Sequence, residues 1–212
     1  MARKERLTES GYYHVINRGV ERRSVFLDEE DYHQFLDLML VIAKEYNLII
    51  HSYCLMSNHY HILLETKDNN ISKAIQFLND KYAKYFNKKY ERVGHLWQGR
   101  FKSYYLFDDI HFWYVSKYIE RNPLKANIVN KIENYVYQSY FQWKNNSKYY
   151  LLLKNSKILE MNLEDYEVFI SSDIESEILE KIYDIQKSVK IDGKTKILNK
   201  RIETFFYIDP GI

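Results

Sequence analysis

The chain has 212 residues, 46% of them hydrophobic, and a formal net charge of +2. This length fits one ordinary domain with or without a small appendage, the apolar fraction suffices for a core, and bulk charge makes no case for a nucleic-acid partner. A single cysteine, Cys54, excludes an internal disulfide and a four-cysteine zinc site, and no apolar run approaches the roughly 20 residues of a membrane span.

The charge is unevenly spread. Residues 151–212 carry 9 Lys+Arg and 12 Asp+Glu, a balance of −3, so residues 1–150 carry 22 and 17, a balance of +5. The first part suits phosphate contact better than the tail. Met1–Arg6 is followed by Leu-Thr-Glu-Ser rather than an apolar stretch, so no signal peptide is expected, and the lone cysteine fits a cytoplasmic setting. The 21 tyrosines accompany abundant Lys, Asn and Ile, a compositional bias, so a tyrosine is informative only by its position.

In chain order, residues 11–17 read as an aromatic and β-branched strand, broken at Arg18-Gly19. Residues 28–46 read as a helix, with acids in the first turn and a stripe of Tyr32, Phe35, Leu36, Met39, Ile42 and Ala43. Residues 48–55 and 58–65 read as two strands joined by a tight turn at Met56-Ser57. A second helix opens at 69–72, with Ile71, Ala74, Ile75, Leu78, Tyr82, Tyr85 and Phe86 on one face. Residues 94–100 read as a loop and 101–106 as a fourth strand. A third helix starts at Asp108-Asp109 and is expected to end at Pro123. Strands mixed with helices in this order predict an α+β layer. Beyond Trp143 the pattern weakens into a helical C-terminal appendage, with helices expected over 164–170 and 174–189.

The chemistry concentrates in His59-Tyr60-His61. On a strand, residues two apart share a face, so both imidazoles point one way, within reach of one metal ion, and Tyr60 points the other. A metal needs further ligands, and Tyr118-Ile119-Glu120-Arg121-Asn122-Pro123 offers them. Tyr118 and Asn122 lie one helical turn apart on one face. The Asn122 amide oxygen is a candidate third ligand, and the Tyr118 phenol can overhang the ion. Two imidazoles, an amide oxygen and open positions suit Mg²⁺ or Mn²⁺ bound with a substrate phosphate better than Zn²⁺.

Four pieces stand in order: Tyr-His-Val-Ile-Asn-Arg-Gly (13–19), Met-Ser-Asn-His-Tyr-His-Ile-Leu-Leu (56–64), Leu-Trp-Gln-Gly-Arg-Phe (96–101) and Tyr-Ile-Glu-Arg-Asn-Pro-Leu-Lys-Ala (118–126). Together they resemble the single-tyrosine transposases of the His-hydrophobic-His superfamily, especially REP-associated tyrosine transposases and their insertion-sequence relatives. The resemblance spans residues 10–145. It implies a ferredoxin-like antiparallel sheet with helices packed on it, a transposase domain over 1–145 and an appendage over 146–212. It further implies metal-dependent cleavage of single-stranded DNA beside a hairpin, with a 5′-phosphotyrosine link, a freed 3′-OH and strand transfer on reversal. Carried onto this chain, His59, His61 and Asn122 are metal ligands and Tyr118 is the nucleophile. Monomers and homodimers both fit the resemblance.

Competing readings remain for several residues. Tyr114 lies one turn before Tyr118 on the same face. Asn122 can simply cap a helix end, and Glu65, on the His face, can mark a solvated strand end. Trp97, Arg100 and Lys102 read equally as a stacking and phosphate-binding group or as a hydrophobic anchor with two solvated cations. Arg18, Arg22 and Arg23 read as phosphate contacts or a solvated loop. His14, His33, His51, His95 and His111 show no comparable pairing and read as structural or surface residues. The rival functions are a domesticated, non-catalytic hairpin-binding protein and a metal hydrolase in which water attacks.

Overall fold

A computed structural model of the chain describes residues 9–172. The expected helix over 174–189 lies outside the described residues.

Four strands and two helices alternate as β1 (Gly11–Arg18), α1 (Glu29–Glu45), β2 (Leu48–Met56), β3 (His59–Thr66), α2 (Ile71–Lys89) and β4 (Lys102–Leu106). The strands form one antiparallel sheet in the order β2-β3-β1-β4. This βαββαβ arrangement is ferredoxin-like. The chain continues through α3 (Asp109–Glu120), α4 (Asn122–Lys125), α5 (Ser139–Lys144) and α6 (Leu163–Ser171), with 3₁₀ turns at Ile132–Asn134, Lys148–Leu153 and Lys157–Glu160.

The β2–β3 hairpin turns at Ser57-Asn58, one residue later than the sequence suggested. Met56 pairs with His59, so a two-residue loop closes the ladder. Pro123 also acts differently from expectation. It lies in the first turn of α4, where a missing N–H costs nothing, so the chain kinks between two helices rather than leaving helical structure.

The sheet separates two apolar layers because its strands alternate. Tyr13, Val15, Tyr60, Ile62 and Leu64 face α1 and α2, joined by Phe35, Met39, Leu78 and Tyr82. Cys54, Met56 and Leu63 face the opposite way, against Phe112, Val115 and Ile119 of α3 and Tyr166 and Ile170 of α6. Each fully buried large apolar side chain contributes roughly 1.5–3 kcal/mol. The segment after residue 145 joins both layers, with Tyr149 and Leu152 in the first and Leu153 and Ile158 in the second.

Polar clamps fix the helix ends. The Asp28 carboxylate caps α1 by accepting from the Asp31 N–H at 3.1 Å, and Asp31 accepts from the Leu27 N–H at 2.8 Å. Lys89, at the end of α2, reaches Asp28 and Asp31 at 2.7 and 3.0 Å, tying the two helices together. Asp108 caps α3 by accepting from the His111 N–H at 2.7 Å, which fixes where the helix carrying Tyr118 begins. Among the described residues, no helix is long and apolar enough to cross a membrane.

Candidate active site

β3 is an inner strand, paired to β2 on one side and β1 on the other, so it forms a rigid floor. His59 and His61 are both buried on the α3 side, with ring centroids 5.0 Å apart and planes at 84°. Each has a partner on its Nδ1. The Asn58 amide donates through Nδ2 to the Arg22 carbonyl at 3.2 Å, which turns its Oδ1 toward His59 Nδ1, 2.5 Å away. An amide oxygen only accepts, so His59 carries its proton on Nδ1 and Nε2 is the bare nitrogen. His61 Nδ1 lies 2.9 Å from Nε2 of His14, and His61 Nε2 is buried with no hydrogen-bond partner among the described residues. Burial, then His59 and His14, hold the His61 pKa well below its usual value, so the ring is neutral and suited to ligation.

Tyr118 packs against one member of this pair and against His14. Its ring meets His61 at 5.6 Å and 84°, and His14 at 5.9 Å and 71°. The side chain is half-buried. Burial, then Cys54 and Tyr104, raise its phenol above the ordinary 10. Lys125 Nζ lies 4.7 Å from the Tyr118 ring centroid. Lys125 is exposed as a residue and has no carboxylate partner among the described residues. Desolvation at its ammonium end, then Arg121, lowers its pKa.

Asn122 is buried one turn past Tyr118. Its Nδ2 donates to the Tyr118 and Ile119 carbonyls at 2.9 and 3.3 Å, which caps the end of α3 and leaves Oδ1 outside these bonds. Among the described residues, no group of three His, Cys, Asp or Glu side chains is disposed to hold a metal.

A buried carboxylate locks α3 in place. Glu120 accepts from Ser52 Oγ of β2 at 3.0 Å, from Ser139 Oγ, and from the Tyr140 N–H at 3.3 Å. Burial raises its pKa to about 7 against the opposing effect of these hydrogen bonds. Arg121 Nη1 donates to the carbonyls of Ile170, Ser171 and Ser172 at 3.0, 2.8 and 2.9 Å, closing the end of α6.

The cations expected to meet phosphate lie along two laced loops. The Arg18 carbonyl accepts from the Gln98 N–H at 2.8 Å, Arg18 Nε donates to Gln98 Oε1 at 3.0 Å, and the Val20 N–H donates to the Leu96 carbonyl at 2.9 Å. Register puts Arg18 opposite His59 and Lys102 opposite Ile16, on the His-pair face. Arg22, Arg23, Arg100 and Lys102 are exposed, and Arg23 pairs with Glu21.

Trp97 corrects one expectation. It is only 8% exposed, packs on Tyr60 and Tyr82, and donates from Nε1 to the Asn79 carbonyl at 3.1 Å. It anchors the core and offers no face to a base. Glu65 lies 3.8 Å from His51 Nε2, away from the His pair. His14 is the other correction. The sequence offered it no partner, and the β1–β3 register brings it against His61. Lys125 stood in a quoted motif without a role, and its seven-residue spacing from Tyr118, two helical turns, was the available signal.

The sequence model of IS200-like transposases matches residues 8–122, more than half of the chain. The chain belongs to that family, the single-tyrosine transposases with a His-hydrophobic-His pair. A REP-associated tyrosine transposase solved bound to a REP hairpin is similar at 17% identity, covering 67% of this chain and 84% of that one, with a TM-score of 0.57. A candidate transposase from Deinococcus radiodurans R1 aligns at 20% identity over 57% of this chain and 97% of that one, with a TM-score of 0.40. No curated protein matches the chain. The first likeness shows that this transposase family member shares the fold of the REP-associated enzyme.

Proposed function

We propose that this protein cleaves and rejoins single-stranded DNA beside a hairpin, with Tyr118 as nucleophile. The observation that carries the reading is the Tyr118 ring seated against His61 of the His59–His61 pair. The REP-associated relative bound to a hairpin supports a hairpin-bearing substrate.

The residues fit a divalent ion. His61 Nε2 is buried with no hydrogen-bond partner among the described residues, Asn58 keeps the His59 proton on Nδ1, and the Asn122 amide oxygen is not hydrogen-bonded within the described residues. His59, His61 and Asn122 would hold Mg²⁺ or Mn²⁺. When bound, such an ion polarises a phosphoryl oxygen and stabilises developing negative charge.

The chain's own residues do the rest. Tyr118 Oη attacks the scissile phosphorus, a Tyr–O–P bond forms, and the P–O3′ bond breaks. The phenolic proton goes to solvent, and the departing oxygen takes one up as a 3′-OH. The Lys125 ammonium over the ring favours the phenolate as it develops. Phenoxide is a better leaving group than an alkoxide, so another 3′-OH can reverse the step and transfer the strand without external energy. Arg18, Arg22, Arg23, Arg100 and Lys102 contact phosphates. In this reading residues 1–145 are the catalytic domain, 146–212 an accessory segment, and the protein works in the cytoplasm as a monomer or homodimer.

The test is a 3′-labelled hairpin oligonucleotide incubated with protein and Mg²⁺ or Mn²⁺, then resolved on a denaturing gel. A covalent adduct that Tyr118→Phe loses and Tyr114→Phe keeps is expected. Cleavage without an adduct means a hydrolase, and retardation on a native gel without cleavage means a binding protein. Either result overturns the proposal.

A further inference from the structure

We propose that His14 is a positioning residue whose Nε2 accepts the Nδ1 proton of His61 and so holds His61 Nε2 toward the metal. The inference rests on the reading of His61 as a metal ligand.

His14 lies on β1 opposite Leu63, and its neighbour two residues on, Ile16, lies opposite His61. His14 and His61 are therefore diagonal neighbours on one face, a relation that brings long side chains together. Their rings stack at 5.1 Å and 25°, with His14 Nε2 2.9 Å from His61 Nδ1. A neutral imidazole has one N–H and one lone pair. Two such rings sharing one hydrogen bond have two arrangements. In one, His61 Nδ1–H donates to His14 Nε2, and His61 Nε2 is a bare lone pair. In the other, His14 donates, and His61 carries its proton on Nε2.

Only the first arrangement leaves His61 able to ligate through Nε2. Burial alone does not choose, since the first puts a buried proton on His14 Nδ1 and the second a buried proton on His61 Nε2; ligation through Nε2 selects the first, with His14 Nε2 as the acceptor. The His14 ring is itself held in register by Tyr118 at 5.9 Å and Tyr104 at 6.2 Å. The two candidate ligands are thus oriented in parallel, His59 by the Asn58 amide oxygen and His61 by the His14 ring nitrogen. Partners of this kind set both tautomer and ring direction, and their loss typically weakens metal binding by about 10–100-fold.

The test uses the full chain and two readouts besides activity. In wild type saturated with Mg²⁺, long-range ¹H–¹⁵N NMR of the histidine rings is expected to show His61 protonated at Nδ1 and hydrogen-bonded to His14. Mn²⁺ titration followed by electron paramagnetic resonance is expected to show His14→Ala binding about 10–100-fold more weakly than wild type. His14→Gln, whose amide oxygen accepts from Nδ1–H, recovers most of the affinity, and metal-free hairpin binding is unchanged in both variants. If His14→Ala fails to fold, His14→Gln and the wild-type spectrum decide. Wild-type affinity in His14→Ala, or a His61 Nδ1 proton that does not pair with His14 in the Mg²⁺-saturated protein, overturns the role of His14 alone. Wild type that binds neither Mn²⁺ nor Mg²⁺ overturns the metal reading beneath it.

Discussion

Lys125 Nζ sits over the ring of Tyr118, 4.7 Å from its centroid. The contact joins α4 to α3 across the Asn122-Pro123 kink, and it sets a cation beside the proposed nucleophile. Burial raises the Tyr118 phenol above 10, so the phenolate fraction near neutral pH is small and grows with pH. Adduct formation is expected to accelerate as pH rises from 7 toward 9. Lys125→Met removes a cation–π contact worth about 0.5–1 kcal/mol and is expected to slow adduct formation about 2–5-fold at every pH in that range. Single-turnover rates on a labelled hairpin check this. A flat pH profile in wild type rules out a rate set by the phenol.

Trp97 and Lys102 separate a structural role from a binding one. Trp97→Ala is expected to cost about 3–5 kcal/mol of stability, because the ring is core and its Nε1–H serves the Asn79 carbonyl. Lys102→Ala and Arg100→Ala remove exposed charges and are expected to leave the melting temperature nearly unchanged. Each is expected to weaken hairpin binding and reduce the salt slope of log K by about 0.7, the single-strand value for one lost phosphate contact. Thermal melts and binding at several salt concentrations give both quantities.

How far the sequence could be read follows from the range of each interaction. The His59–His61 face and the Tyr118–Asn122 spacing are local, set by strand and helix periods, and both were legible. So were the starts of α1 at Asp28 and of α3 at Asp108, which local signals mark. The His14–His61 contact joins residues 47 apart and exists only once β1 is in register with β3, which no local pattern specifies. Trp97 was ambiguous because its neighbours are polar and glycine-rich, while its burial depends on α2 packing across the sheet. The short turns after residue 130 lack the length for a periodic signal, so α5 and the 3₁₀ turns went unread.

Gly19 is expected to be intolerant for a reason unrelated to its backbone angle. A Cβ there would lie 2.2 Å from the Arg23 carbonyl oxygen and 2.8 Å from Val25 Cγ1. The carbonyl belongs to the loop that carries Arg22 and Arg23, so it cannot yield without moving them. Gly19→Ala is expected to destabilise the protein by about 1–3 kcal/mol, the usual cost of overpacking, and to weaken hairpin binding. Urea unfolding and a mobility-shift titration measure the two effects. A variant as stable as wild type means that the loop relaxes freely.

Glu120 gives stability a pH dependence whose sign is opposite to that of a paired surface acid. Burial raises its carboxyl in the folded protein to about 7, from an ordinary 4.5. Between these values the folded protein holds a proton that the unfolded chain has released, so stability falls as pH rises through this window. In the limit the loss is on the order of 3 kcal/mol, at 1.36 kcal/mol per pKa unit. The buried histidines slope the other way. Burial lowers His14 and His51 to about 3, so their contribution grows as pH rises toward 6.5. The informative quantity is therefore the difference between wild type and Glu120→Gln, whose amide stays neutral and keeps an oxygen for Ser52 and Ser139. Wild type is expected to lose ground against Glu120→Gln steadily from pH 5 to pH 8 in urea unfolding. Parallel stability curves for the two proteins mean that Glu120 does not titrate in this window, and its hydrogen bonds then hold α3 with a fixed charge.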